Sequence, residues 1–167
     1  MLSKAQNQLV QDFKAKLIAE DTLFFDQILS ILKKIEYIPE KNNTKMPSII
    51  FKNKKLNKKI AKFAIHGDDK LHFYTKYFSI QPYPEKCIDS LRFLYTKYGD
   101  TYWTCDCENC KKCTGLPERY TYCHSDGKEI FYCGSYLYEI RNISINDIKM
   151  IEHILLKQHQ YFCIQQC

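Results

Sequence analysis

Apolar positions recur at helical spacing near both ends of the chain and alternate with polar ones through its middle. Leu9, Val10, Phe13 and Leu17 fall on one stripe with Lys14 and Lys16 outward, which predicts a helix. Ser3 with Gln6 three residues on is a capping box for its start. A second helix carries Phe24, Phe25, Ile28, Leu32 and Ile35, with Asp21-Thr22 as its cap and Pro39 as its end. Residues 40–47 form a polar loop, and Ser48 to Phe51 a short strand. Ala61, Phe63 and Ile65 then alternate with polar residues, as do Leu71, Phe73, Thr75 and Tyr77, so a hairpin turns at 66–70. Pro84 opens a third helix with Ile88, Leu91, Leu94, Tyr95 and Tyr98 on its stripe, and Gly99 closes it.

The plan repeats after a cysteine-rich stretch. Tyr120 to Cys123 and Ile130 to Tyr138 read as strands about an Asp126-Gly127 turn, the second bent at Gly134. Ser144 with Asp147 then caps a last helix bearing Ile148, Ile151, Leu155 and Phe162. The expected fold is α+β: an antiparallel or mixed sheet from two β-hairpins, helices on one face, an N-terminal helical segment and a Cys-rich loop. Helices in 1–38 pack on a main domain, 46–167, whose loop 103–116 holds the cysteines.

Length and charge narrow the classes. At 167 residues and 19.9 kDa the chain fits one domain that needs no covalent staple. No apolar run approaches the ~18 residues of a membrane span. The first residues lack the apolar core of a signal peptide, so the expected setting is cytoplasmic. Net charge is +6, carried almost wholly by lysine. Lys52, Lys54, Lys55, Lys58, Lys59 and Lys62 could meet phosphates. Lysine also protects ordinary edge strands, and the scarcity of arginine weakens a nucleic-acid role. The many tyrosines of the strands suit either stacking against bases or a half-buried sheet.

Four of the nine cysteines, Cys105, Cys107, Cys110 and Cys113, fall within nine residues, and Cys123 and Cys133 lie on the following hairpin. In a reducing compartment such clustering points to metal or thiol chemistry. Cys110-Lys-Lys-Cys113-Thr-Gly115 has the outline of a zinc knuckle, in which glycine permits the tight turn. Cys107-x2-Cys110-x2-Cys113 with a remote Cys133 also outlines an iron–sulfur ligand set. The expected ligands are Cys107, Cys110, Cys113 and Cys133, with Cys105, Cys123 and His124 as reserves. A two-residue turn at Asp126-Gly127 puts Cys123 and Cys133 on opposite faces, so only one joins. Cys87, Cys163 and Cys167 read as small apolar residues or free thiols.

From about residue 46 to 162 the order of features resembles a family of small uncharacterised bacterial proteins. The shared outline is Cys107, Cys110 and Cys113, then Tyr120, Tyr122, Gly127, Lys128, Tyr132 and Cys133. The resemblance implies that Cys133 partners the loop cysteines and brings no activity with it. No phosphate loop, dinucleotide fingerprint, nucleophile elbow or zinc-protease motif occurs. The function expected is a non-catalytic binding or regulatory module with structural zinc and a protein or small-molecule partner. Thiol redox or iron–sulfur chemistry is one alternative, and nucleic-acid binding by the Lys-rich hairpin another.

Overall fold

The computed structural model describes residues 2–67, 70–99, 104–105 and 118–165. The fold is α+β. In chain order its elements are α1 (Lys4–Lys14), α2 (Ala19–Lys34), β1 (Ile38–Lys41), β2 (Ser48–Asn53), β3 (Lys58–Ile65), β4 (Leu71–Thr75), α3 (Glu85–Tyr98), β5 (Arg119–Cys123), β6 (Glu129–Cys133), β7 (Tyr138–Glu139), a 3₁₀ turn (Ile145–Asp147) and α4 (Ile148–Ile164).

Local signals formed as expected where they are self-contained. The Ser3 hydroxyl accepts from the Gln6 N–H and the Gln6 side chain from the Ser3 N–H, closing the capping box. Ser144 and Asp147 repeat it on the 3₁₀ turn that leads into α4. The start of α2 differs: it begins at Ala19, because the Ile18 carbonyl already accepts from the N–H and hydroxyl of Thr22. Asp21 sits inside the first turn, where the helix dipole favours acid, instead of capping it. Nor does Pro39 end α2. Glu36 turns left-handed at φ 60°, the Tyr37 N–H closes on the Leu32 carbonyl, and Pro39 lies in edge strand β1. An edge strand tolerates proline because one side of its ladder is unused.

Among the described residues the strands form two sheets instead of one. The larger is antiparallel with order β1-β2-β3-β4-β7, and the smaller pairs β5 with β6. The turn between β2 and β3, with Asn57 at φ 50°, makes a hairpin that the basic run conceals in the sequence. Alternation sends Phe51, Phe63 and Phe73 to one face, against Phe24 and Phe25 of α2. Phe25 and Phe63 meet at 4.9 Å, one of several edge-on pairs each worth about 0.5–1.5 kcal/mol beyond burial. Helix α4 packs on α2 and β3 through its Ile151, Ile154, Leu155 and Phe162 stripe.

The second strand of the later hairpin does not run on to Tyr138. It stops at Cys133, and Tyr138–Glu139 pairs with β4 in the larger sheet. Gly134 dictates the break: its N–H donates to the Glu118 carbonyl at 2.7 Å, and a Cβ there would lie 2.4 Å from that oxygen. Tyr77, Tyr120, Tyr132 and Tyr138 fill the space between the sheets, with Tyr120 4.7 Å from both Tyr77 and Tyr138. Most of the strand tyrosines are thus core.

Candidate functional site

Tyr120, Tyr122, Ile130 and Tyr132 face inward and are buried, so Arg119, Thr121, Cys123, Phe131 and Cys133 share the outer face of the smaller sheet. The turn is not the two-residue one expected. His124 donates its N–H to the Lys128 carbonyl, leaving a loop of Ser125, Asp126 and Gly127 with Gly127 at φ 84°. Cys123 therefore opposes Glu129, Cys133 opposes Arg119, and the two thiols lie on the same face. They are nonetheless four residues apart along the sheet, about 13 Å at 3.3 Å per residue, too far for one tetrahedral ion. His124 is engaged elsewhere: its Nδ1 lies 3.0 Å from Asp126 and its ring 4.6 Å from Tyr95. The Asp126 carboxyl is held below its usual value, first by the Lys128 N–H and then by His124.

Cys133 stands where both ends of the cysteine-rich segment arrive. On one side of β6, Thr104 bridges Tyr132 and the Cys105 N–H donates to the Phe131 carbonyl at 2.6 Å. On the other side Arg119 opposes Cys133. Cys105 opposes Phe131, so it is a diagonal neighbour of Cys133 on the outer face. Glu118 anchors the returning end through Gly134 and through its carboxylate, 2.9 Å from the Lys58 ammonium and 4.0 Å from that of buried Lys76. Cys107, Cys110 and Cys113 lie outside the described residues. Among the described residues no three or more metal-binding side chains converge. Cys133 Sγ is 3.0 Å from the Ser135 hydroxyl and is a free thiol, whereas Cys105 is disulfide-bonded. Cys87 is buried, and that burial pushes its thiol up to about 12.

The basic run does not make one surface, because the β2–β3 turn and the bulge where Phe51 and Lys52 pair with β3 split it. Lys54 and Lys55 sit at the β2–β3 turn, with Lys55 2.9 Å from Glu36. Lys58 reaches Glu118, and Lys62 turns to the opposite face of the larger sheet, 3.9 Å over the Tyr74 ring. That face and α3 enclose a cleft of about 630 Å³. Here the structure supplies partners that the sequence leaves unseen. His66 Nε2 meets the Tyr74 hydroxyl at 2.7 Å, His72 Nδ1 meets Glu139 at 2.7 Å, and the two imidazoles stand 4.2 Å apart. The Arg141 guanidinium lies 3.3 Å from the Phe93 ring centre, and Lys97 5.6 Å from the same ring. Lys62, Tyr74 and His72 were findable from alternation in the hairpin; Glu139 and Arg141 were not, since they depend on β7 crossing to the larger sheet.

No described helix is long and apolar enough to cross a membrane. Comparison of the chain with protein-family models, curated proteins and solved structures finds no match.

Proposed function

We propose that this chain is a non-catalytic binding module whose cysteine-rich segment is fastened to the smaller sheet by zinc. Cys133 would supply one thiolate, and Cys107, Cys110 and Cys113 the others, with Cys105 a substitute only once its disulfide is reduced. The observation that carries this is that β6 receives both ends of the segment beside Cys133. Segment 106–117 has few apolar side chains, so burial alone offsets little of its ordering entropy of ~1–2 kcal/mol per residue. Zinc binding by convergent thiolates supplies that free energy. Four thiolates close the coordination shell and leave no position for a reacting water, hence a structural role.

The test is elemental analysis of protein purified under reducing conditions without chelator. About one zinc per chain is expected, lost in Cys133→Ser and retained in Cys123→Ser. Metal-free wild-type protein overturns the proposal, and iron with labile sulfide would replace zinc by a cluster. A second reading, thiol redox chemistry, has one observation in its favour, the disulfide at Cys105. It expects no zinc and, after alkylation without reductant, a pair of thiols protected from the reagent.

A further inference from the structure

We propose that the cleft between the larger sheet and α3 binds a phosphate monoester attached to an aromatic ring system, as in a mononucleotide. The proposal concerns a site separate from the cysteine edge and does not depend on metal there.

Three basic side chains face this cleft: Lys62 from β3, Lys97 from α3 and Arg141 just after β7. Each lies against an aromatic ring, and none has a carboxylate within ion-pair distance among the described residues. Glu139, the one described carboxylate lining the cleft, is occupied by His72. The cleft therefore carries a surplus of positive charge. Burial lowers the Lys62 pKa, with the Glu139 charge opposing that shift, which marks an ammonium partly stripped of water. A phosphate dianion would return the lost solvation. Stacking on Phe93 immobilises the Arg141 plane and leaves its N–H edge for a two-point grip on phosphate oxygens, which a lone ammonium cannot make.

The remaining lining fits the rest of such a ligand. Phe93, Leu94 and Leu137 give the cleft an apolar wall against which a base can pack. A volume of about 630 Å³ falls within the ~300–1,000 Å³ common for small-molecule sites. The Tyr74–His66 and His72–Glu139 hydrogen bonds fix the floor, so little ordering is left to binding.

The phosphate could arrive on a free nucleotide or on a single-stranded nucleic acid, and calorimetry at 50 mM salt separates the two. The probes are AMP, adenosine, inorganic phosphate and a ten-residue oligoadenylate RNA. AMP is expected to bind with a Kd on the order of 0.1 mM, and adenosine and phosphate each at least about tenfold more weakly. Lys62→Gln, Arg141→Gln and Lys97→Gln should each weaken AMP by about fivefold or more, while Lys33→Gln, away from the cleft, leaves it unchanged. Lys97 is exposed, so its variant tests the site even if the half-buried ones fail to fold. Oligoadenylate binding tighter than AMP with the same sensitivities assigns the phosphate to nucleic acid. Saturable binding by neither AMP nor RNA, or binding indifferent to the folded cleft variants, overturns the proposal.

Discussion

Replacing Gly134 by alanine tests the junction on which both the cysteine edge and the crossing between sheets rest. A methyl at this position lies 2.4 Å from the Glu118 carbonyl oxygen, 2.6 Å from its carbon and 2.9 Å from its Cβ. Two of those atoms are backbone, so no side-chain rotation relieves the clash. The strands must separate, at ~1–3 kcal/mol for overpacking, and the 2.7 Å bond from the Gly134 N–H lengthens, at ~1 kcal/mol. The expected loss is about 2–4 kcal/mol, a fall in thermal midpoint of roughly 4–16 °C for a chain of this size. Urea unfolding followed by circular dichroism measures it. Gly67→Ala is the control, because a methyl there meets nothing within 4 Å. A Gly134→Ala variant within about 0.5 kcal/mol of the parent would refute the close approach and the path of the chain drawn from it.

Two further outcomes follow from titrating groups. Burial alone would raise the Asp147 pKa, but hydrogen bonds from Lys86, the Ser144 N–H and the Ser144 hydroxyl outweigh it and the net value is lowered. A carboxylate lowered in the fold adds stability above its unfolded value and loses it as pH falls through the folded one. Asp147→Asn should therefore cost about 1 kcal/mol at pH 7 and progressively less toward pH 3, and a pH-independent difference in urea midpoints would contradict this. Cys87, raised to about 12 by burial, should resist iodoacetamide at pH 8 in the native protein while exposed Cys123 reacts. Peptide mapping that finds equal labelling of the two would show that Cys87 is not sealed.

What could be foreseen from the residues was local. The two capping boxes, the Phe63–Phe73 hairpin and the stop at Gly99 depend on neighbours within a few positions, and each formed as its spacing implied. What escaped depended on contacts between distant segments. Asp126-Gly127 is compatible with a two- or a three-residue loop, and that single-residue difference moved Cys123 to the face of Cys133. Pro39 looked like a helix stop because a proline inside a sheet is rare, yet an edge strand accepts it. The splitting of the strands into two sheets rests on Gly134 meeting Glu118, sixteen residues away in sequence and invisible to any periodicity. The same holds for the cleft, whose Glu139 and Arg141 reach Lys62 and Phe93 only after that crossing.

The sheet edges have a consequence for solubility. The larger sheet ends in β1, four residues with a proline among them, and in β7, only two residues long, so neither offers a useful template to another chain. In the smaller sheet the Thr121 N–H on the outside of β5 is capped by the Tyr83 hydroxyl at 3.2 Å, and β6 is covered at Tyr132 and Phe131 by residues 104 and 105. That last cover is the short stretch that carries Cys105. Whatever holds the cysteines therefore also keeps a strand out of reach of other copies of the protein. Its loss would first be seen as self-association, with most of the fold still intact.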